Sequence, residues 1–96
     1  MVKGITSTGY EFEIDDRKIG DFRFLKALRQ SKSRDPEEQI IGAYDLVEMV
    51  LGKENVDDLC NHVAEPDGFV ATEKMLSEVT EILQIVAERN ADVKNL

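Results

Sequence analysis

Six apolar residues, Met75, Leu76, Val79, Ile82, Leu83 and Val86, recur at the i, i+3, i+4, i+7 spacing of a single helix face. Such a stripe cannot face water along its whole length, so the rest of the chain must cover it. Thr72 is placed to open this helix, the last and longest of the sequence. The following stretch "ERNADVKNL" holds too little apolar surface to pack, and residues 89–96 are expected to fray.

At the other end the period changes. Tyr10, Phe12 and Ile14 alternate with Glu11, Glu13 and Asp15, the period-two pattern of a half-buried strand. Ser7-Thr8-Gly9 supplies a turn and Ile5 belongs to a first, weaker arm, so residues 1–15 read as a β-hairpin. A lone two-stranded ribbon is marginal in water and must lie against something helical.

Between these ends the punctuation marks three more helices. Asp21 is a good N-cap for a helix running to about Ser31. "DPEE" combines a capping Asp35, a Pro36 suited to the first helical position and an acid at Glu38. It opens a helix that Gly52 ends. Ile40, Tyr44, Val47 and Leu51 form the main stripe of that helix. Leu46, Met49 and Val50 fall outside it, leaving the helix apolar over most of its circumference. It therefore belongs at the centre of the domain or offers a second face to a partner. Asn55 can start a shorter helix with Val56, Leu59, Cys60 and Val63 inward, and "EPDG" turns the chain toward the last helix. The expected fold is α+β and mainly α-helical: a short hairpin, then about four helices over residues 21–88, in one domain spanning all 96 residues.

Charge narrows the classes of partner. The chain carries −8 overall, yet seven of its twelve Lys and Arg residues fall between Arg17 and Arg34. Residues 1–34 amount to +3 and residues 35–96 to −11, which argues against general affinity for nucleic acid. At about 100° per residue, the Asp21–Ser31 helix places Phe24, Leu25, Ala27 and Leu28 on one side. Arg23, Lys26, Arg29 and Lys32 run along the other, with no aromatic residue interleaved on the exposed side. Such a strip is a solvated face, or it meets an acidic protein. No apolar run approaches the ~18–20 residues of a membrane span, and the opening Met-Val-Lys-Gly lacks a signal-peptide core, so a cytoplasmic location is expected.

The inventory for catalysis is thin. One His, one Cys and no nucleophile, P-loop or zinc-protease motif point to a non-enzymatic protein with no cofactor. Cys60 and His62 alone cannot complete a zinc site, and on a helix they diverge, so Cys60 reads as a core residue and His62 as a surface one. The acidic pairs Glu37-Glu38 and Asp57-Asp58 sit at helix starts, where the dipole favours them without any metal ion.

The opening "KGITSTGYEFEID", the aromatic-rich "DFRFLKAL", the helix ending in "EMVLGKENVDDL" and the closing "DGFVATEKMLSEVTEIL" together resemble small proteins encoded by phages and prophages of Gram-positive bacteria. That group is similar to the tail assembly chaperones of long-tailed phages, and the likeness covers most of the chain as a pattern of elements. The resemblance implies a mostly helical, non-enzymatic protein of the host cytoplasm. It would coat the tape measure protein, keep it soluble, help recruit the major tail protein, and leave before the virion is finished. It also implies that a longer, frameshifted form can exist. The residues suggest where partners would be met: Arg23, Lys26 and Arg29 on the basic strip, and Leu46, Met49 and Ile85 as off-stripe apolar positions edging a groove. A homo-oligomer is compatible with the same surplus of apolar surface. Two other readings fit the sequence: a small phage regulatory or anti-host protein that binds an acidic protein through the basic strip, and a minor structural component of the tail.

Overall fold

A computed structural model describes residues 1–94, with side chains described through Arg89. Strands β1 (Val2–Ile5) and β2 (Glu11–Ile14) form an antiparallel ribbon, followed by a single 3-10 turn at Asp16–Lys18. Four helices follow among the described residues: α1 (Phe22–Ser31), α2 (Pro36–Leu51), α3 (Lys53–Val63) and α4 (Thr72–Lys94). The α+β, mainly helical architecture is that expected from the sequence. The α4 backbone continues to Lys94, past the expected end at residue 88. The fraying expected of 89–96 concerns residues whose side chains lie largely outside those described.

The ribbon register explains its two faces. Val2 pairs with Ile14 and Gly4 with Phe12, so Val2, Phe12 and Ile14 turn inward and are buried. Lys3 opposes Glu13 on the outer side, an opposite-charge cross-strand pair. A Cβ on Gly4 would fall 2.6 Å from the Phe12 ring and 3.3 Å from Ile85 Cγ2. The bare glycine thus lets that ring lie across the strand and lets α4 approach it. The ribbon meets α4 through β1, so the hairpin finds the helical support it needs.

Caps behave as their chemistry dictates. Asp21 Oδ1 accepts from the Arg23 N–H at 2.8 Å, and Asp35 Oδ1 from the Glu37 N–H at 3.1 Å. Gly52, at φ 83°, ends α2 and at once precedes α3. No Asn55 cap opens α3, because the helix starts two residues earlier. The Asn55 amide instead donates to the Leu51 carbonyl at 2.9 Å and ties the two helices together.

The core is deepest at Val50, Leu59, Val79, Ile82 and Val86, where α2, α3 and α4 meet. The helix α2 packs against all three others, in keeping with the central place expected for it. Its inward face differs from the expected one. Gly42, Ala43, Leu46, Val47, Val50 and Leu51 are buried, whereas Ile40 and Tyr44 are 65% and 61% exposed. The reason is α1, which packs along the Gly42–Leu46 side of α2 and draws that side inward. Leu46 is therefore a core residue and not the rim of a groove.

Candidate interaction surfaces

Three surfaces stand out, two of which combine side chains from elements distant in the sequence. The first is the pair of outer faces of the α1–α2 hairpin. The two helices pack so closely at Gly42 that a Cβ there would overlap the Ser31 amide nitrogen and Gln30. On the far side of α1 stand Phe22, 81% exposed, and Leu25, with Lys26 and Arg29 beside them. Leu25 was expected on the apolar side with Phe24 and Ala27. It lies two residues from Ala27, about 160° around the helix, and so points away from α2. Phe22 stands in the same relation to Phe24, so a large aromatic residue does sit among the basic ones, contrary to the expectation from the sequence. The far side of α2 carries Ile40, Ile41 and Tyr44, all more than half exposed, with Glu37 and Glu48 on the same side.

Arg23 stands apart from the rest of the basic strip. Its guanidinium folds back on Asp21, with Nη2 2.7 Å and Nε 3.1 Å from the carboxylate oxygens. The side-chain and backbone hydrogen bonds from Arg23 hold the Asp21 carboxyl at about 2, below its ordinary 3.8. Arg23 is thereby occupied within its own helix cap. Among the described residues Lys26 and Arg29 form no salt bridge. On α2, Glu48 as a hydrogen-bond partner and as a charge raises the Tyr44 phenol above its ordinary value, and Asp45 and Asp57 add to the effect. Tyr44 is thus the apolar centre of an acidic neighbourhood.

The second surface is an open groove of about 850 Å³ where the ribbon meets the C-terminal half of α4. Ile5, Phe12 and Ile85 give it an apolar floor, with Lys3 and Arg89 on one side of the charge balance and Glu11 and Glu13 on the other. Ile85 lines this groove, and its neighbours there are Ile5 and Phe12 of the ribbon and not Met49 of α2. Met49 is half-buried against the core and lines a separate hollow with Arg23, Glu48 and Lys53. The six residues singled out from the sequence therefore do not converge: Lys26 and Arg29 share one face, Arg23 and Met49 another, Ile85 a third, and Leu46 is inside.

The third is a polar clasp over α4. The hairpin turn is docked by Ser7, whose N–H and Oγ lie 2.6 Å and 3.0 Å from the two carboxylate oxygens of Glu81. Next to it Thr8 Oγ1 donates to Oε1 of Glu78, a side chain only 4% exposed. Thr8 also lies 3.1 Å from Thr6 Oγ1 and 3.0 Å from His62 Nε2. Thr8 has one hydroxyl hydrogen, and Glu78 takes it. Thr6 and His62 must therefore donate to Thr8, so Nε2 of His62 carries a hydrogen. The Tyr10 ring packs at 5.4 Å from the His62 ring. Burial first, then the nearby Asp58 and Glu78, raises its phenol above the ordinary value. Oε2 of Glu78 has no hydrogen-bond partner among the described residues.

Nothing in the spacing of Thr8, His62 and Glu78 announces this clasp, since 54 and 70 residues separate Thr8 from its partners. The exposed face of α2 did leave a signal. A helix apolar all round is either central or double-faced, and here α1, α3 and α4 cover one side while Ile40, Ile41 and Tyr44 stay exposed on the other. Comparison with protein-family models, with curated proteins and with solved structures finds no match.

Proposed function

We propose that this protein is a tail assembly chaperone of a long-tailed phage, binding the tape measure protein in the host cytoplasm and helping to recruit the major tail protein. The observation that carries the binding part of this reading is the groove beside α4. Ile5 and Ile85 form an apolar floor there, and both signs of charge stand at its edge. A partner helix with apolar anchors three and four residues apart fits a floor of this kind. The net charge of −8 would keep such a complex soluble once the partner's apolar face is covered. The tail assignment itself rests on the resemblance of the ribbon, the "DFRFLKAL" helix and the closing helix to that group of phage proteins. Binding and release are the whole mechanism, with no bond made or broken. No helix among the described residues is long and apolar enough to cross a membrane.

The test is co-expression with a tape measure protein, the long chain encoded near the major tail protein in phage genomes. This protein should co-purify with it and move it from the insoluble to the soluble fraction. An insoluble tape measure protein in its presence, with no association, would reject the reading. Finding the protein in purified virions would favour a minor structural component of the tail instead. A second reading, a regulatory or anti-host protein that binds an acidic protein through α1, draws on Phe22 and Leu25 standing exposed beside Lys26 and Arg29.

A further inference from the structure

The hydrogen-bond phase of the ribbon leaves one edge unsatisfied. The Thr6 N–H donates to the Tyr10 carbonyl at 2.9 Å, so these two residues face each other as a hydrogen-bonded pair. Such pairs recur at every second position, which makes Gly4–Phe12 and Val2–Ile14 pairs of the same kind. Glu11 and Glu13 lie between them, opposite Ile5 and Lys3, and turn their N–H and C=O groups away from β1. None of these backbone groups has a partner among the described residues. Strand β1 has α4 beside it, whereas β2 is the free edge of the ribbon. An open hollow of about 420 Å³ lies along Tyr10, Glu11, Phe12 and Glu13 and reaches Leu51 and Asn55 where α2 meets α3. The carboxylates of Glu11 and Glu13 stand exposed on the outer face of the ribbon. Among the described residues neither forms a salt bridge, although Lys3 lies across from Glu13.

We infer that the β2 edge takes up an extended segment of a partner protein as a third strand, and that this segment reads basic–apolar–basic. Antiparallel pairing is the more stable arrangement. It sets one residue of the incoming strand directly opposite Glu11 and another, two positions away, opposite Glu13. Each exchanges both of its backbone hydrogen bonds with its glutamate, and its side chain stands on the same outer face. Opposite charge is the favoured cross-strand neighbour there, so those two residues are Lys or Arg. The residue between them lies opposite Phe12 and turns its side chain to the other face, over the hollow that leads to Leu51. An apolar side chain belongs in that position. A second copy of this chain does not fit, because two β2 edges would set glutamate against glutamate. The same carboxylates deter indiscriminate pairing of an open edge and select for a basic strand. The contact is short, and salt weakens it by screening the exposed charges. It rests on neither the tail assignment nor Ile85.

Fluorescence anisotropy with a labelled peptide of core sequence Thr-Lys-Val-Lys-Thr tests the inference on the full chain. The wild type should bind it at low salt and release it at high salt. Glu11→Lys with Glu13→Lys changes only exposed side chains and should leave the circular dichroism spectrum unaltered. That variant should bind at least about tenfold more weakly, equivalent to about 1.4 kcal/mol, and should bind a Thr-Glu-Val-Glu-Thr peptide instead. Two methylated peptides separate strand pairing from simple attraction between opposite charges. A methyl on both lysine backbone nitrogens keeps the charge but removes the donors that face β2, and should abolish binding. A methyl on the valine nitrogen, which faces away from β2, should leave binding in place. A wild type that ignores the Lys-Val-Lys peptide at millimolar concentration would overturn the inference. So would equal binding of the two methylated peptides, or a charge-reversed protein that fails to bind the acidic peptide.

Discussion

Thr8, at the tip of the β-hairpin, gives its hydroxyl hydrogen to Glu78, a carboxylate buried on α4 seventy residues away in the chain. Thr8→Val keeps the shape and removes the donor, leaving both carboxylate oxygens of Glu78 without a partner. The expected loss is about 1–3 kcal/mol of stability in urea unfolding, the usual penalty for an orphaned buried polar group. Thr8→Ser should restore most of it. If Thr8→Val unfolds at the wild-type urea concentration, the clasp contributes nothing to the fold.

Gly42→Ala separates two opposing effects. Alanine favours a helix over glycine by about 1 kcal/mol. Here its Cβ would press on the backbone of Ser31 and Gln30, which cannot swing aside as a side chain can. Overpacking of this kind costs about 1–3 kcal/mol, so the clash should win and the melting temperature should fall. A higher melting temperature would mean that α1 stands further from α2 than the structure places it.

The two sides of α2 should respond differently to the same chemistry. Val47→Asp puts an unpaired carboxylate in the core at a cost of several kcal/mol, a large share of the stability of a small domain, and should leave the chain unfolded by circular dichroism. Ile40→Asp changes a side chain that is 65% exposed and should change the free energy of urea unfolding by less than about 0.5 kcal/mol. Equal effects would show that Ile40 is buried after all.

That contrast shows where the sequence is legible. The period of α4 and the alternation of Tyr10, Phe12 and Ile14 each belong to an element with one inward face, and both read directly. The Asp21, Asp35 and Gly52 signals are local: α1 and α2 start after the two aspartates and α2 ends at the glycine. For α2 the apolar residues run all round, so the pattern cannot choose between the Ile40–Tyr44 side and the Gly42–Leu46 side. The neighbour α1 decides it, through a glycine contact that depends on tertiary packing. The Thr8–Glu78 clasp is of the same kind, since each partner looks like an ordinary surface residue until the hairpin folds onto α4.

The Asp21 cap makes a prediction in pH. Its carboxyl is at about 2 in the folded chain against an ordinary 3.8, so the folded state prefers the charged form. The stabilisation is present in full above pH 3.8 and is lost as the pH falls through about 2. In a carboxyl NMR titration Asp21 should have its midpoint near 2, and Arg23→Gln should move that midpoint upward. A midpoint of 3.8 in the wild type would mean that Arg23 is not held on the cap. The second cap has no such charge partner among the described residues. Asp35→Ala should cost about 1 kcal/mol through loss of the bond to the Glu37 N–H.

The central claim, a groove that holds a partner helix, is tested most directly by calorimetric titration of a helical tape measure fragment into the wild type and into Ile85→Ser. Ile85 is half-buried, so its replacement should lower the melting temperature modestly and leave the protein folded. The account predicts that the wild type binds and that Ile85→Ser binds at least about tenfold more weakly, a loss of about 1.4 kcal/mol. Binding of the same strength by a folded Ile85→Ser protein would contradict it.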